Sequence, residues 1–359
     1  MIRKLYILLL LLLINSCVET PVPSESDGDI LPREHGIIIL NEGLQGRNNS
    51  TASRLDLQSG EIINDYFRKA NDGLALGDVA NDIALSVDTA LVAVTNSHTI
   101  EAFNVKTGKW AGRIHTGEDS WPRHIALVND STAFFSDLMR HSVRKFNPRT
   151  MKLSNVEIPV GPAPEQIVFF REKLFVANSG YGDYLSGEPK AGTISVIDIN
   201  SMNEIRVIEC GPNTVELTVD PLERKLYAMY YHLPSKWPLD SLGGIVEYDI
   251  DTYEEISRRR AECTNLTLDI ESRNIYFISG KHLARIDLKE PGSGPEIILE
   301  NPDEFDQWYS IGIYNDLLMI GNSLNYQVAG EILIFDKNSL EQLNPPVPAG
   351  INPNEFIAW

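Results

Sequence analysis

Three side chains suited to holding a ligand stand together in the stretch SWPRHIAL. Trp121 offers a flat face, Arg123 a rigid fork of donors, and His124 a ring that donates or accepts. Others of the same kind are scattered along the chain. Tyr181 and Tyr184 lie in GYGDYL, Tyr231 and Trp237 in YYHLPSKW, Trp308 and Tyr309 in QWYS, and Tyr326 in LNYQ. Flat aromatic faces with polar edges suit a large amphipathic ligand, so their chemistry is that of binding. A single ring of this sort often does no more than pin a loop. The set has meaning as a site only if the fold gathers it on one surface.

Catalytic signatures are missing from the sequence. There is no H-E-x-x-H helix, no C-x-x-C-H, no phosphate-binding loop and no dinucleotide fingerprint. The G-x-S candidates lack the strand, elbow and helix that would expose a nucleophile. The seven histidines are dispersed without metal-ligand spacing. A non-enzymatic protein without a resident cofactor or metal is expected. Carboxylates from different parts of the chain could still assemble a metal centre, so a lactonase-like hydrolase stays open as an alternative.

The elements that must position these residues come as a repeated line. NDIALSVDTALVAVTNSHTIEAFNVKTGK, beginning at Asn81, reads as three short strands and a turn. Similar lines start at Arg123, Glu165, Val215, Thr264 and Tyr309. The apolar residue opening each first strand falls at Ile83, Ile125, Ile167, Leu217, Leu266 and Ile311, at intervals of 42, 42, 50, 49 and 45 residues, and a seventh is Phe356. An Asp or Asn closes the third strand at Asp56, Asn104, Asn147, Asp198, Asp249, Asp287 and Asp336. Short Asx side chains bond the following backbone and start turns there.

The two sets of seven are offset. Asp56 has no first strand before it, and the strand in NPNEFIAW has nothing after it. GIIILNEG, STASRLDLQSG and EIINDYF supply the three missing strands. The fold predicted is therefore all-β: a seven-bladed β-propeller over residues 36–359, its N-terminal strands pairing with the C-terminal strand. In such a ring, loops entering the first strand and loops joining the second to the third share one face. The long insertions at Asn178, Tyr230 and Gly321 join second to third strands, so they and the aromatic residues should rise together. Asp82, Arg123, His124, Glu165, Glu216, Asn265 and Glu355 should point at the central mouth, to meet a ligand or ordered water.

The N-terminus belongs to a different part of the protein. Arg3 and Lys4 precede the apolar run Leu5–Ile14, too short to span a membrane. The run ends in LINSC, which resembles a bacterial lipobox and implies cleavage before Cys17 and its acylation, with residues 1–16 as signal peptide. Residues 17–35, rich in Pro, Ser and acids, read as a flexible tether. Removing residues 1–16 takes two of the 31 basic residues, leaving 29 against 50 acidic ones, a formal −21. That field repels phosphate backbones and argues against nucleic acid as a partner. Cys210 and Cys263 fall before successive repeats, and their pairing is open.

GTISVID and FVANSG resemble YVTN-type propeller repeats. The opening ILNEG…NNSTASRLDLQSGEI…GLALGDVANDIAL resembles propeller lipoproteins of Bacteroidetes, among them surface cobalamin-binding proteins. The resemblance implies a monomeric propeller, held at the outer membrane by its lipid and exposed at the cell surface, with a periplasmic orientation also open. It further implies capture of cobalamin or a related corrinoid for an outer-membrane transporter. A protein- or glycan-interaction module of a surface complex is the alternative.

Overall fold

The computed structural model describes residues 36–182, 184–232, 243–290, 292–302 and 307–359. The expected signal peptide, the tether with Cys17, and Trp237 lie outside the described residues. Seven four-stranded antiparallel sheets make up the fold. Six are continuous in sequence; the first of these, blade 1, runs Ala80–Ser86, Thr89–Val94, Thr99–Asn104 and Trp110–His115. Blade 7 is composite, in the order Pro353–Ala358, Gly36–Asn41, Thr51–Asp56 and Ile62–Ile63. Ile38 lies opposite Ile357, and Leu40 opposite Glu355. The innermost strand of each blade packs against those of its two neighbours, closing the ring. The protein is a seven-bladed β-propeller.

The apolar runs follow from burial on both sheet faces. In Gly36–Asn41, Ile38 and Leu40 pack with Val92, Val94 and Phe103 of blade 1. Ile37 and Ile39, pointing the other way, pack with Met319 and Ile332 of blade 6, which runs Trp308–Tyr314, Leu317–Asn322, Ala329–Asp336 and Val347–Ile351. A strand with two buried faces cannot alternate apolar and polar, so it reads as an unbroken run. The innermost strands crowd together more closely. A Cβ on Gly312 of blade 6 would meet the Phe356 ring of blade 7 at 2.7 Å.

Each expected Asx residue ends a third strand. Asn104 Oδ1 accepts from the backbone N–H groups of Lys106 and Thr107, both at 3.0 Å, and Asp336 Oδ1 accepts from Asn338 at 2.9 Å and Ser339 at 2.7 Å. One expectation needs correction. EIINDYF is not one outer strand: pairing stops after Ile63, and Tyr66–Ala70 form a single helical turn. Tyr66 and Phe67 are both buried there, which adjacent residues of a strand on one packed face cannot achieve. The turn is tied to blade 1, where Asn71 Nδ2 donates to Gly108 O at 2.8 Å and Trp110 N–H donates to Asn71 Oδ1 at 2.9 Å. Cys210 and Cys263 are free thiols, each buried in its own cluster. Among the described residues, no helix is long and apolar enough to cross a membrane.

Candidate functional site

The site begins with an irregularity that the repeat imposes seven times. Where each innermost strand leaves the mouth of the ring, its pairing with the second strand slips register. A β-bulge leaves a residue unpaired and re-aims its side chain. The residues so placed include Asn81, Arg123, His124, Glu165, Asn265 and Asn354, and they line a central funnel of about 600 Å³. Loops joining second to third strands add Glu42, Tyr181 and Tyr231 to its wall. The funnel continues down the axis past Leu217, Leu266 and Ile311.

Several of the acids also join blades. Asp82 Oδ2 accepts the backbone N–H of Ile125 in the next blade at 2.6 Å, Glu355 Oε2 that of Ile83 at 3.2 Å, and Glu216 Oε2 that of Leu266 at 2.5 Å. In each case an acid just before the landmark apolar residue caps that landmark in the following blade. Asn354 continues the pattern by donating to Asn81 O at 2.7 Å. Part of the mouth's polarity is therefore structural. It satisfies inner-strand N–H groups on the edge that has no ladder neighbour in its own sheet.

The charges are unevenly compensated. Arg123 Nε bonds Glu165 Oε2 at 2.6 Å. Burial works against the guanidinium charge, but Glu165 and Glu42 outweigh it and hold its pKa above the usual value. Burial raises the Glu42 carboxyl, although the Tyr309 hydroxyl donates to it and Arg123 is near. Burial pushes Glu216 up to about 7. Glu355 is raised well above the usual carboxylate range, by burial and then by the neighbouring Asp82. His124 Nδ1 lies 3.4 Å from Asp82 Oδ1. Low-dielectric surroundings disfavour each uncompensated carboxylate.

A second cavity of about 350 Å³ adjoins the funnel. Trp121, Leu138, Tyr326 and Asn352 line it, while Glu42, Arg123 and Tyr181 line both cavities. Tyr326 meets Tyr309 edge to face, with ring centroids 5.8 Å apart. Val79, on the same wall, is a β-branched residue held at φ 60, a conformation costing about 1–3 kcal/mol.

Of the side chains expected to bind, Arg123, His124, Tyr181, Tyr231 and Tyr309 line the funnel, and Trp121 and Tyr326 the smaller cavity. Tyr184 is exposed beside them and packs edge-on against Tyr181 at 6.4 Å. Trp308 is elsewhere. It opens the innermost strand of blade 6 and is buried with Leu318 of that blade and with Ile278 and Leu283 of blade 5, which runs Thr264–Asp269, Asn274–Ser279, His282–Asp287 and Glu296–Glu300. Tyr309, its neighbour, is the residue left unpaired by the bulge between Trp308 and Ser310, which aims it at the mouth. Glu42 is not among the expected residues. Its one signal is its position in NEG, just past the second strand of blade 7, where three other blades carry the insertions at Asn178, Tyr230 and Gly321.

These features describe a preformed concavity on one face of a propeller. No protein-family model and no curated protein matches the chain. Solved structures do. The chain is similar to a protein from Lactobacillus plantarum at 12% identity and a TM-score of 0.67, covering 91% of this chain and 99% of that one. A quinonprotein alcohol dehydrogenase-like protein from Bacteroides thetaiotaomicron aligns at 13% identity and TM-score 0.66, over 90% and 78% of the two chains. Hydrazine synthase of Kuenenia stuttgartiensis aligns at 16% and 0.62, over 77% and 88%. At such identities the likeness shows the fold alone. Among the described residues, no group of three or more His, Cys, Asp or Glu is arranged to hold a metal ion.

Proposed function

We propose that this protein is a non-catalytic, monomeric capture propeller, tethered to the bacterial outer membrane through a lipid on Cys17 and exposed at the cell surface. Its loop-bearing face takes a small molecule and presents it to an outer-membrane transporter. The observation that carries this reading is the central funnel with its adjoining cavity, walled by Tyr181, Tyr231, Tyr309, Tyr326 and Trp121. Rings fixed on closed blades spend little ordering entropy on binding.

The lining favours a neutral ligand rich in hydrogen-bond donors. Among the described residues, Arg123 is the one Arg or Lys of the funnel lining and Glu165 already engages it, while Glu42 adds a further acid beside it. Phosphates and carboxylates would be repelled. The sequence resemblance to cobalamin-binding propellers suggests a corrinoid, and its broad ring edged with carboxamides suits aromatic walls and carboxylate acceptors. Purified protein mixed with cyanocobalamin should carry the pigment through gel filtration. Pigment eluting wholly as free compound would refute the corrinoid assignment.

A protein partner at the same face has one observation in its favour. Met139, Tyr181, Tyr184, Tyr326 and Val328 are exposed large apolar residues on loops of that face. Such exposure is characteristic of contact surfaces. Co-purification of an outer-membrane protein that is lost on Tyr184→Ser and Met139→Ser substitution would support this reading over capture of a free small molecule.

A further inference from the structure

The two cavities share a wall, and that wall is unusually well braced. Glu42 is fixed by the Tyr309 hydroxyl, Tyr309 by the edge of Tyr326, and Arg123 by Glu165 at 2.6 Å. Each compartment is therefore in contact with the same carboxylate, guanidinium and tyrosine ring. Arg123 does not make the wall cationic. With Glu165 and Glu42 beside it, the three groups carry one excess acid.

We propose that the funnel and the smaller cavity are two compartments of one site, and that the Glu42–Arg123 pair on their dividing wall selects neutral carboxamide-bearing ligands over carboxylates. The inference rests on the capture reading and names the chemistry that reading requires. A primary carboxamide supplies N–H donors to Glu42 and a carbonyl acceptor to Arg123, in a plane that stacks against Tyr181. A carboxylate of the same shape offers no donor to Glu42 and adds a second negative charge beside it. An ester keeps the acceptor and loses the donor. A ligand with a carboxamide on each side of the wall would use both compartments.

Three near-isosteric probes separate these cases: nicotinamide, methyl nicotinate and nicotinate, titrated into the protein by NMR. Nicotinamide should bind about tenfold more tightly than methyl nicotinate, the worth of one hydrogen bond to a charged acceptor, with nicotinate weakest. It should shift both the Trp121 indole N–H, in the smaller cavity, and the Asn213 amide, in the funnel. Two nicotinamides joined through C5 of their pyridine rings by a short alkyl chain, with both primary carboxamides kept, should gain at least about tenfold over one, because the second contact becomes intramolecular. Glu42→Gln should raise nicotinate affinity toward that of nicotinamide. The proposal is overturned if nicotinate binds as well as nicotinamide, if shifts are confined to one cavity, if the linked probe gains nothing, or if no probe binds at millimolar concentration. The capture reading is judged separately. Cyanocobalamin retained by protein that does not discriminate the probes removes this inference alone, while discrimination without cyanocobalamin retention removes only the corrinoid assignment.

Discussion

The Tyr309 hydroxyl donates to Glu42, although Glu42 lies near the start of the described chain and Tyr309 in the sixth blade. Closure of the ring makes this contact possible, and it places a buried carboxylate at the boundary of two cavities. Tyr309→Phe removes the donor and keeps the ring. It should destabilise the protein by about 1–2 kcal/mol in chemical denaturation and weaken ligand retention, because the carboxylate loses its fixed orientation. Unchanged stability together with unchanged retention would show that the contact matters for neither.

Glu216 gives the funnel a defined pH dependence. Its carboxyl is raised from 4.5 to about 7, chiefly by burial. In that window the folded protein holds a proton that the unfolded chain has released. The stability it contributes is greatest below about pH 4.5, falls as pH rises toward 7 and is level above that. Glu216→Gln keeps an acceptor for the Leu266 N–H and removes the titration. Urea unfolding should show the wild type losing a few kcal/mol relative to Glu216→Gln between those limits, since each tenfold change in proton affinity is worth about 1.4 kcal/mol. A difference that does not vary with pH would contradict the assignment.

The turns on the opposite face should matter for stability alone. Asn104→Ala removes an acceptor from the Lys106 and Thr107 N–H groups. It should cost about 1 kcal/mol and leave ligand affinity unaltered, since no residue of that turn lines either cavity. Altered affinity, measured by calorimetry, would mean that the two faces are coupled.

The composite blade is the weak point of the ring. Removing residues 353–359 takes away the strand that pairs with Gly36–Asn41 and supplies Glu355 to the mouth. The shortened protein should lose its cooperative thermal transition and become sensitive to limited proteolysis. A sharp transition near that of the full chain would show that six complete blades suffice.

How much of this is legible in the residues depends on range. The sevenfold count is, because each blade repeats the same local chemistry: an apolar opening residue, two buried strands and an Asx turn. The split blade is also legible, from the offset between Asp56 and Phe356. Short-range signals fail at Tyr66 and Phe67, where two adjacent aromatics read as the end of a strand and form a helical turn instead. Trp308 and Tyr309 read as one surface pair, yet the bulge at Tyr309 leaves Trp308 in the core and sends only Tyr309 to the mouth. Glu42 has only its position in NEG to mark it, because its partners Tyr309 and Arg123 reach it only when the ring closes. The acids Asp82, Glu216 and Glu355 read as mouth polarity, but their bonds to the next blade depend on how innermost strands pack side by side, which no spacing in the sequence reveals.

The measurement that bears most directly on the capture reading is a titration with cyanocobalamin, read by calorimetry and by pigment co-eluting in gel filtration, on wild type and on a Trp121→Ala, Tyr181→Ala double variant. The wild type should bind saturably at one ligand per chain. The double variant should lose at least about tenfold in affinity, as expected when aromatic anchors are removed, with the unfolding midpoint of the fold unchanged. No heat and no retained pigment in the wild type would contradict capture of a corrinoid, and equal binding by the double variant would contradict capture at this face.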